Sequence, residues 1–329
     1  MLDALRRFGI LGINRRNIAY AMKWNQRRDY PLVDDKIATK RLCEEAGIPV
    51  PRLLAVARHH YELRGLLAAL ADHDSFVLKP ARGAMGKGIL VVVEREGDVF
   101  LSSAGRQYST AQFQYHASGI ISGLYSLAGH ADAAMVEERL QVELFFANLA
   151  PAGVPDIRVI VYRGVPVMAM LRLPTWRSGA RANLHQGAIG VGIDLVTGIT
   201  RHAVMRGAPI RENPDSGEDL IGRKIQGLSR VLEIAVAAAD ETGLGYLGAD
   251  VVIDARSGPM ILELNARPGL TIQLANGAGL RPRLQAVDDR LGWPGGDEER
   301  PLPVAERVAL GQEIVGTIRP GSASGRRLA

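Results

Sequence analysis

Asp250, Glu263 and Asn265 are spaced to present three oxygen donors side by side. They lie in Gly248-Ala-Asp-Val-Val-Ile-Asp254 and Pro259-Met-Ile-Leu-Glu-Leu-Asn265, two strand-like segments separated by Ala255 to Gly258. The glycine closing that separation suits a tight turn, so the unit reads as a β-hairpin. Symmetric pairing about the turn sets Asp250 opposite Glu263, and Asn265, two residues on, shares Glu263's face. Carboxylates opposed across a ladder repel unless something positive lies between them. Two carboxylates and an amide oxygen suit a hard divalent cation that completes its octahedron with phosphate oxygens, which points to Mg²⁺ and a nucleotide. A plain solvated face is the alternative. Apolar Ile261, Leu262 and Leu264, and the exit Asn265-Ala-Arg-Pro-Gly269, weigh against it.

A second candidate is the loop Arg82-Gly83-Ala-Met-Gly86-Lys87-Gly88. It joins strand to strand, whereas dinucleotide and Walker phosphate loops join strand to helix. Its glycines let backbone N–H groups approach an anion, and Lys79 and Lys87 add charge, as a lid over a triphosphate needs. Arg158 and Arg172 project from the two strands of a further hairpin, where a planar guanidinium fork pairs with carboxylate or phosphate. Surface salt bridges are their alternative. His185 reads either as a general base or as a supporting polar group, having no companion at metal or triad spacing.

Apolar patterning sets the scaffold on which these residues stand. Helices are expected over Asp34–Ala46, Tyr61–Ala71, from Ser109 to about Leu127, and from about Asp219, where Ile221, Ile225, Leu228, Leu232 and Ala235 share one face and Gly243 is the stop. Strands are expected over Ser75–Pro80, Gly88–Glu94, Ala133–Glu138, Asp156–Tyr162 and Pro166–Arg172. Frequent hairpins among helices predict an α+β architecture with antiparallel sheets.

The 329 residues can bury a substantial core. Net charge is +5, with the excess early: up to Arg41 there are ten basic residues against four acidic. That cluster is interleaved with apolar residues and carries no nucleic-acid motif, so it reads as a site for anionic ligands. The single cysteine, Cys43, excludes an internal disulfide framework. Neither a membrane-length apolar run nor a signal-peptide core is visible, and a cytoplasmic location is expected.

In chain order, Lys79 on a strand, the Gly-rich strand-to-strand loop, Glu137-Glu138, Asp156-Ile-Arg158 and the carboxylate hairpin resemble the ATP-grasp superfamily. Asp34-Asp-Lys36, Asn183-Leu-His-Gln-Gly187 and Leu262-Glu-Leu-Asn-Ala-Arg-Pro-Gly269 look like its α-L-glutamate ligase-like branch, relatives of ligases that add glutamate to a ribosomal protein. The resemblance implies two α+β lobes gripping ATP between antiparallel sheets. It divides the chain into a short basic segment at 1–33, a small lobe with lid at 34–135, a large lobe with the metal site at 136–292 and a mobile tail at 293–329.

Residue by residue, the resemblance sets Lys36 and Lys79 on nucleotide phosphates, with Gly83, Gly86 and Lys87 in the lid. Glu137, Glu138 and Arg139 fall on the nucleotide-binding segment, the last two lining the adenine pocket. Asp156 lies near the nucleotide. Arg158, Arg172, Arg181, Asn183 and His185 fall at the reacting end, where Arg181 and Asn183 match a family Arg-x-Asn. Asp250, Glu263 and Asn265 coincide with the metal ligands, for Mg²⁺ or Mn²⁺. The implied activity is that of an ATP-dependent carboxylate-amine ligase acting through an acylphosphate on glutamate or another acidic substrate. Partners would be small-molecule or peptide acids and amines, with no nucleic acid and no membrane insertion. A hydroxyl kinase on the same scaffold and a nucleotide-binding module without turnover are the alternatives. His185-Gln-Gly-Ala188 stands where glutamate-adding relatives read His-Arg-Gly-Gly, Gln141–Pro155 looks like an enlarged insert, and only 33 residues precede Asp34. These departures leave the amino-acid specificity open.

Overall fold

The computed structural model describes residues 8–83, 86–126, 129–292 and 302–318. The chain divides into two compact units. One takes in the described residues of Met1–Val33, Leu42–Pro49 and Val142–Ala329, the other Asp34–Arg41 and Val50–Gln141. Each is built on one antiparallel sheet backed by helices, the α+β architecture expected.

The smaller unit holds six strands: β1 (Leu53–Ala57), β2 (Phe76–Pro80), β3 (Leu90–Glu96), β4 (Val99–Ser102), β5 (Gln107–Ser109) and β6 (Ala134–Glu138). Their order is β1-β6-β2-β3-β4-β5. β6 is an inner strand, so a lobe boundary at residue 135 would cut the sheet; the division falls instead after Gln141. Phe76, Phe100 and Phe113 stack at the centre of its core, with Leu78 and Ile120 beside them. The helix Thr110–Ile121 starts where expected, because Ser109 and Gln112 form a reciprocal capping box. It stops at Ile121, and Leu127 lies outside the described residues.

The larger unit holds seven strands: β7 (Asp156–Tyr162), β8 (Val165–Leu173), β9 (Ile189–Ile193), β10 (Thr200–Met205), β11 (Ala208–Ile210), β12 (Tyr246–Asp254) and β13 (Gly258–Asn265). Their order is β11-β10-β9-β8-β7-β12-β13. β7 and β8 form the expected hairpin, and both read as nearly continuous apolar runs because the inner strands are covered on both faces. The helix expected from Asp219 begins only at Leu228. Gly222 and Gly227 adopt φ of 80° and 67°, and Asp219 accepts from the Ile221 amide, so this stretch turns instead of coiling. Gly243 does stop that helix, with φ of 65°.

Two further differences concern the insert and the tail. Within Gln141–Pro155 a short helix, Leu144–Leu149, buries Phe146 and Leu149. A helix at Val304–Thr317 occupies part of the stretch expected to be a mobile tail. Its Val308, Ile314 and Val315 are buried, and Arg307 grips Asp240 with two bonds of 2.6 and 2.5 Å. The rest of that stretch, 293–301 and 319–329, lies outside the described residues. Among the described residues no helix is long and apolar enough to cross a membrane.

Candidate functional site

The β12–β13 hairpin forms, but its turn is tighter than a four-residue loop. Asp254 pairs with Gly258, leaving Ala255, Arg256 and Ser257 as the loop. Asp254 Oδ2 accepts from the Arg256 and Ser257 amides at 3.0 Å each. Gly258 takes φ of 75°, the left-handed residue that a three-residue hairpin requires. This pairing by itself would put Asp250 out of step with Glu263. A bulge between Asp250 and Val251, at the level of Leu262, restores the register, and Asp250 faces Glu263 as expected.

On its other side Asp250 faces Arg158 of β7. Arg158 Nε donates to Oδ1 at 2.7 Å and Nη2 to Oδ2 at 2.6 Å. Arg172 of β8 grips Asp156 with bonds of 2.5 and 2.7 Å and reaches Asp250 Oδ2 at 2.7 Å. Asn265 Nδ2 lies 3.3 Å from the same oxygen. Strand alternation puts Asp156, Arg158, Arg172, Asp250, Glu263 and Asn265 on one sheet face: three carboxylates, two guanidiniums and an amide. The positive charge needed between the facing carboxylates is thus supplied first by arginine. Burial works against ionised Asp250, yet Arg158 and then Arg172 outweigh it and hold the carboxyl below its ordinary value. Burial pushes Asp156 up to about 6; Arg172 opposes the rise and the charge of Asp250 adds to it.

Next to Arg172 on this face lies Gly190 of β9, where a Cβ would come within 2.7 Å of Leu184. The turn Leu184–Gln186 therefore sits beside the arginine row, with Asn183 Oδ1 capping it through the His185 amide at 3.0 Å. Asn183 is half-buried; Arg181 and His185 are exposed. Among the described residues no hydrogen bond or ion pair joins these three to the Arg158–Asp250 cluster.

In the smaller unit, Lys79 ion-pairs with Glu137. Lys40 Nζ stands 2.9 Å from the other oxygen, Oε2, and donates to Pro51 O at 2.5 Å. All three side chains are at most 6% exposed. Burial lowers the Lys79 pKa, with Glu137 opposing; Glu137 is held low because the two lysines outweigh its burial. Lys36 Nζ donates to Gly83 O at 2.9 Å, tying the first turn of the helix Lys36–Glu45 to the glycine loop. The same end of the loop is also held by Asp132, which accepts from the Arg82 amide at 3.0 Å. Lys87 and Arg139 are exposed, Gly86 is half-buried, and Glu138 reaches Arg52 at 3.5 Å. Ala84 and Met85 lie outside the described residues.

Lys40 and Asp132 are not among the residues that sequence patterns single out. Lys40 follows Lys36 by one helical turn, a signal that could have marked it; Asp132 carries none.

A family model for the sugar-transfer associated ATP-grasp proteins matches residues 15–289. The chain belongs to that family. The ATP-grasp architecture and the family match agree with the ordered motifs from Lys36 to Asn265. A probable alpha-L-glutamate ligase of Parasynechococcus marenigrum is 25% identical over 88% of this chain and 46% of its own length. Another, of an Enterobacter species, is 24% identical over 89% of this chain and 73% of its own. This family member thus spans about half of the first relative. Among solved structures, D-cycloserine synthetase DcsG aligns with 80% of the chain and 72% of its own at 18% identity and a TM-score of 0.43.

ATP-grasp enzymes are associated with Mg²⁺, and the donor chemistry of Asp250, Glu263 and Asn265 fits a hard cation. Among the described residues no group of three or more His, Cys, Asp or Glu is gathered as a metal centre. Asp250 already accepts from two guanidiniums, so any cation here shares it with Arg158 and Arg172.

Proposed function

We propose that the protein is an ATP-dependent carboxylate-amine ligase that forms an amide through an acylphosphate, with glutamate or another acidic compound as one substrate. The observation that carries this reading is the sheet face on which Arg158 and Arg172 flank the oxygen donors Asp250, Glu263 and Asn265. Phosphoryl transfer asks a protein mainly for positioning and for charge neutralisation, and this face offers guanidinium forks beside a cation-binding set. Membership of an ATP-grasp family and the ligase names of its relatives support it.

In the proposed reaction a substrate carboxylate oxygen attacks the γ-phosphorus of ATP, and the bond to ADP breaks. An amine then attacks the acyl carbon, phosphate leaves, and the amine gives up a proton. A cation held by Asp250, Glu263 and Asn265 would neutralise phosphate charge. Arg158 and Arg172 orient the anionic groups, and Asp156 fixes the plane of Arg172. In the other unit, the unmatched charge of the Lys40–Glu137–Lys79 cluster, with Lys36 beside Gly83, suits nucleotide phosphates. Within the smaller unit the glycine loop would cover the nucleotide phosphates.

The test supplies ATP, Mg²⁺ and a panel of acids with hydroxylamine in place of the amine. A hydroxamate that requires all components is expected with an acidic substrate. ADP release accompanied by a phosphorylated alcohol and no hydroxamate would replace the ligase with a hydroxyl kinase. ATP binding with no ADP release for any pair would leave a nucleotide-binding module.

A further inference from the structure

The basic N-terminal segment has no part in the chemistry above, yet two of its polar side chains are deeply buried: Arg16 is 5% and Asn25 4% exposed. Among the described residues Arg16 has no carboxylate partner. Its Nη1 donates to Pro268 O at 2.7 Å and its Nε to Asn17 Oδ1 at 2.8 Å. Asn25 Nδ2 donates to Tyr246 O at 2.7 Å and Ala266 O at 3.2 Å, while Asn25 Oδ1 accepts from the Tyr246 amide at 2.9 Å. Gln273 adds a third stitch, accepting from the Leu11 amide at 2.8 Å and donating to Leu11 O at 3.1 Å. A buried guanidinium without a counter-ion is costly, and an apolar residue would fill the space without that cost. Arg16 also opens a π-helical turn, Arg16–Ala21, a geometry frequent at functional sites.

Two of the carbonyls so gripped, those of Ala266 and Pro268, come directly after β13. The β12–β13 ladder ends at the pair Gly248 and Asn265, and the chain then leaves the sheet. Ala266 and Pro268 are the next residues with gripped carbonyls, held by side chains more than 240 positions earlier in the sequence. Pro268 lies so close over β12 that a Cβ on Gly248 would be 2.7 Å from its own Cβ. Asn265 is therefore the last ladder residue, and the backbone beyond it is fixed by Arg16 and Asn25 instead of by sheet pairing.

We propose that Arg16 and Asn25 are positioning residues for the cation site. They clamp the Asn265–Gly269 exit so that the Asn265 amide stays beside Asp250 and Glu263. This inference rests on the reading of those three residues as the cation's oxygen donors.

Mn²⁺ binding to the full chain, followed by electron paramagnetic resonance in the presence of a non-hydrolysable ATP analogue, tests it. Arg16→Met and Asn25→Ala, checked for folding by circular dichroism, should weaken Mn²⁺ by about 10- to 100-fold, as loss of groups supporting metal ligands does. Arg16→Lys keeps a donor for Pro268 O and should recover part of the loss. Glu263→Gln separates the two readings. If it loses Mn²⁺ while the folded Arg16 and Asn25 variants bind like wild type, the positioning role is overturned and the cation site stands. If Glu263→Gln also binds like wild type, the cation site falls and this inference with it. A measurement without substitution covers variants that fail to fold. Coupling between the clamp and the cation is reciprocal, so Mn²⁺ with the analogue should slow amide exchange at Leu11 and Tyr246 in wild-type protein more than at Ala203–Met205. Equal effects at the two sets of amides would overturn the proposal.

Discussion

On the larger sheet, Asp156, Asp250 and Glu263 share a face with the guanidiniums of Arg158 and Arg172; in the smaller unit, Lys40 and Lys79 share the single carboxylate of Glu137. One cluster is a carboxylate in excess and the other an ammonium in excess. In each, most of the charge is matched internally, because burying an unmatched ion is expensive, and the remainder is of the sign that a ligand of opposite charge would complete. The geometry differs too. Guanidinium forks hold two planar carboxylates in fixed orientation, whereas lysines contact Glu137 as point charges. The first arrangement suits orientation of reacting groups and the second suits diffuse attraction of an anion.

Glu137→Gln should have the largest effect, since it leaves two lysines without their shared carboxylate. A loss of about 3–5 kcal/mol in denaturant unfolding is expected. Asp250→Asn should destabilise less, by roughly 3 kcal/mol, because Arg172 keeps Asp156 while Arg158 loses its bidentate partner. From the sequence, relief of repulsion with Glu263 could raise the melting temperature of this variant. The two arginines on Asp250 reverse that sign, and a melting temperature above wild type would show that repulsion dominates after all.

Lys40→Met removes the excess charge and leaves a matched Lys79–Glu137 pair, at the loss of the bond to Pro51 O. It should cost only about 1 kcal/mol. A loss as large as that of Glu137→Gln would mean that Lys40 is the principal partner of the carboxylate and would break the contrast between the two clusters.

The pH dependence sharpens the comparison further. Asp156, raised from 3.8 to about 6 by burial, binds its proton more tightly folded than unfolded. Its contribution to stability is therefore present below its ordinary pKa and is lost as pH rises through about 6. Unfolding free energies at pH 5 and 7.5 should show this decline in wild type and not in Asp156→Asn. Smallest of all, Arg181→Lys is an exposed change and should move stability by no more than about 0.5 kcal/mol. In the hydroxamate assay the same variant should reduce yield, if its fork contacts the acid, while sparing ATP affinity.

Much of the site is legible in the sequence because its residues obey local periodicity. Asp250 opposite Glu263, and Asn265 on the same face, come from alternation along two strands and a turn signal between them. Lys79 on a strand before a glycine loop and the Asp156–Arg158 hairpin are visible for the same reason. The helix expected from Asp219 fails because its apolar spacing runs through two glycines whose left-handed backbone breaks it. The helix at Val304–Thr317 is hidden because charge, glycine and proline around it mask a short apolar stripe.

Which residues alternate onto a common face, where the glycine loop joins two strands, and that the sheets are antiparallel are all set by the linear sequence; each comes from local sterics and from the period of a strand. The neighbours of those residues are chosen by the folded chain. The order β8-β7-β12-β13 brings Arg158, Asp250 and Glu263 into one row, with Arg172 one pair along on the same face, although Arg158 and Asp250 are 92 positions apart. Lys40 reaches Glu137, and Arg16 reaches Pro268, by the same kind of long-range closure. Buried charges must find partners wherever the fold offers them, and a linear pattern does not encode that choice.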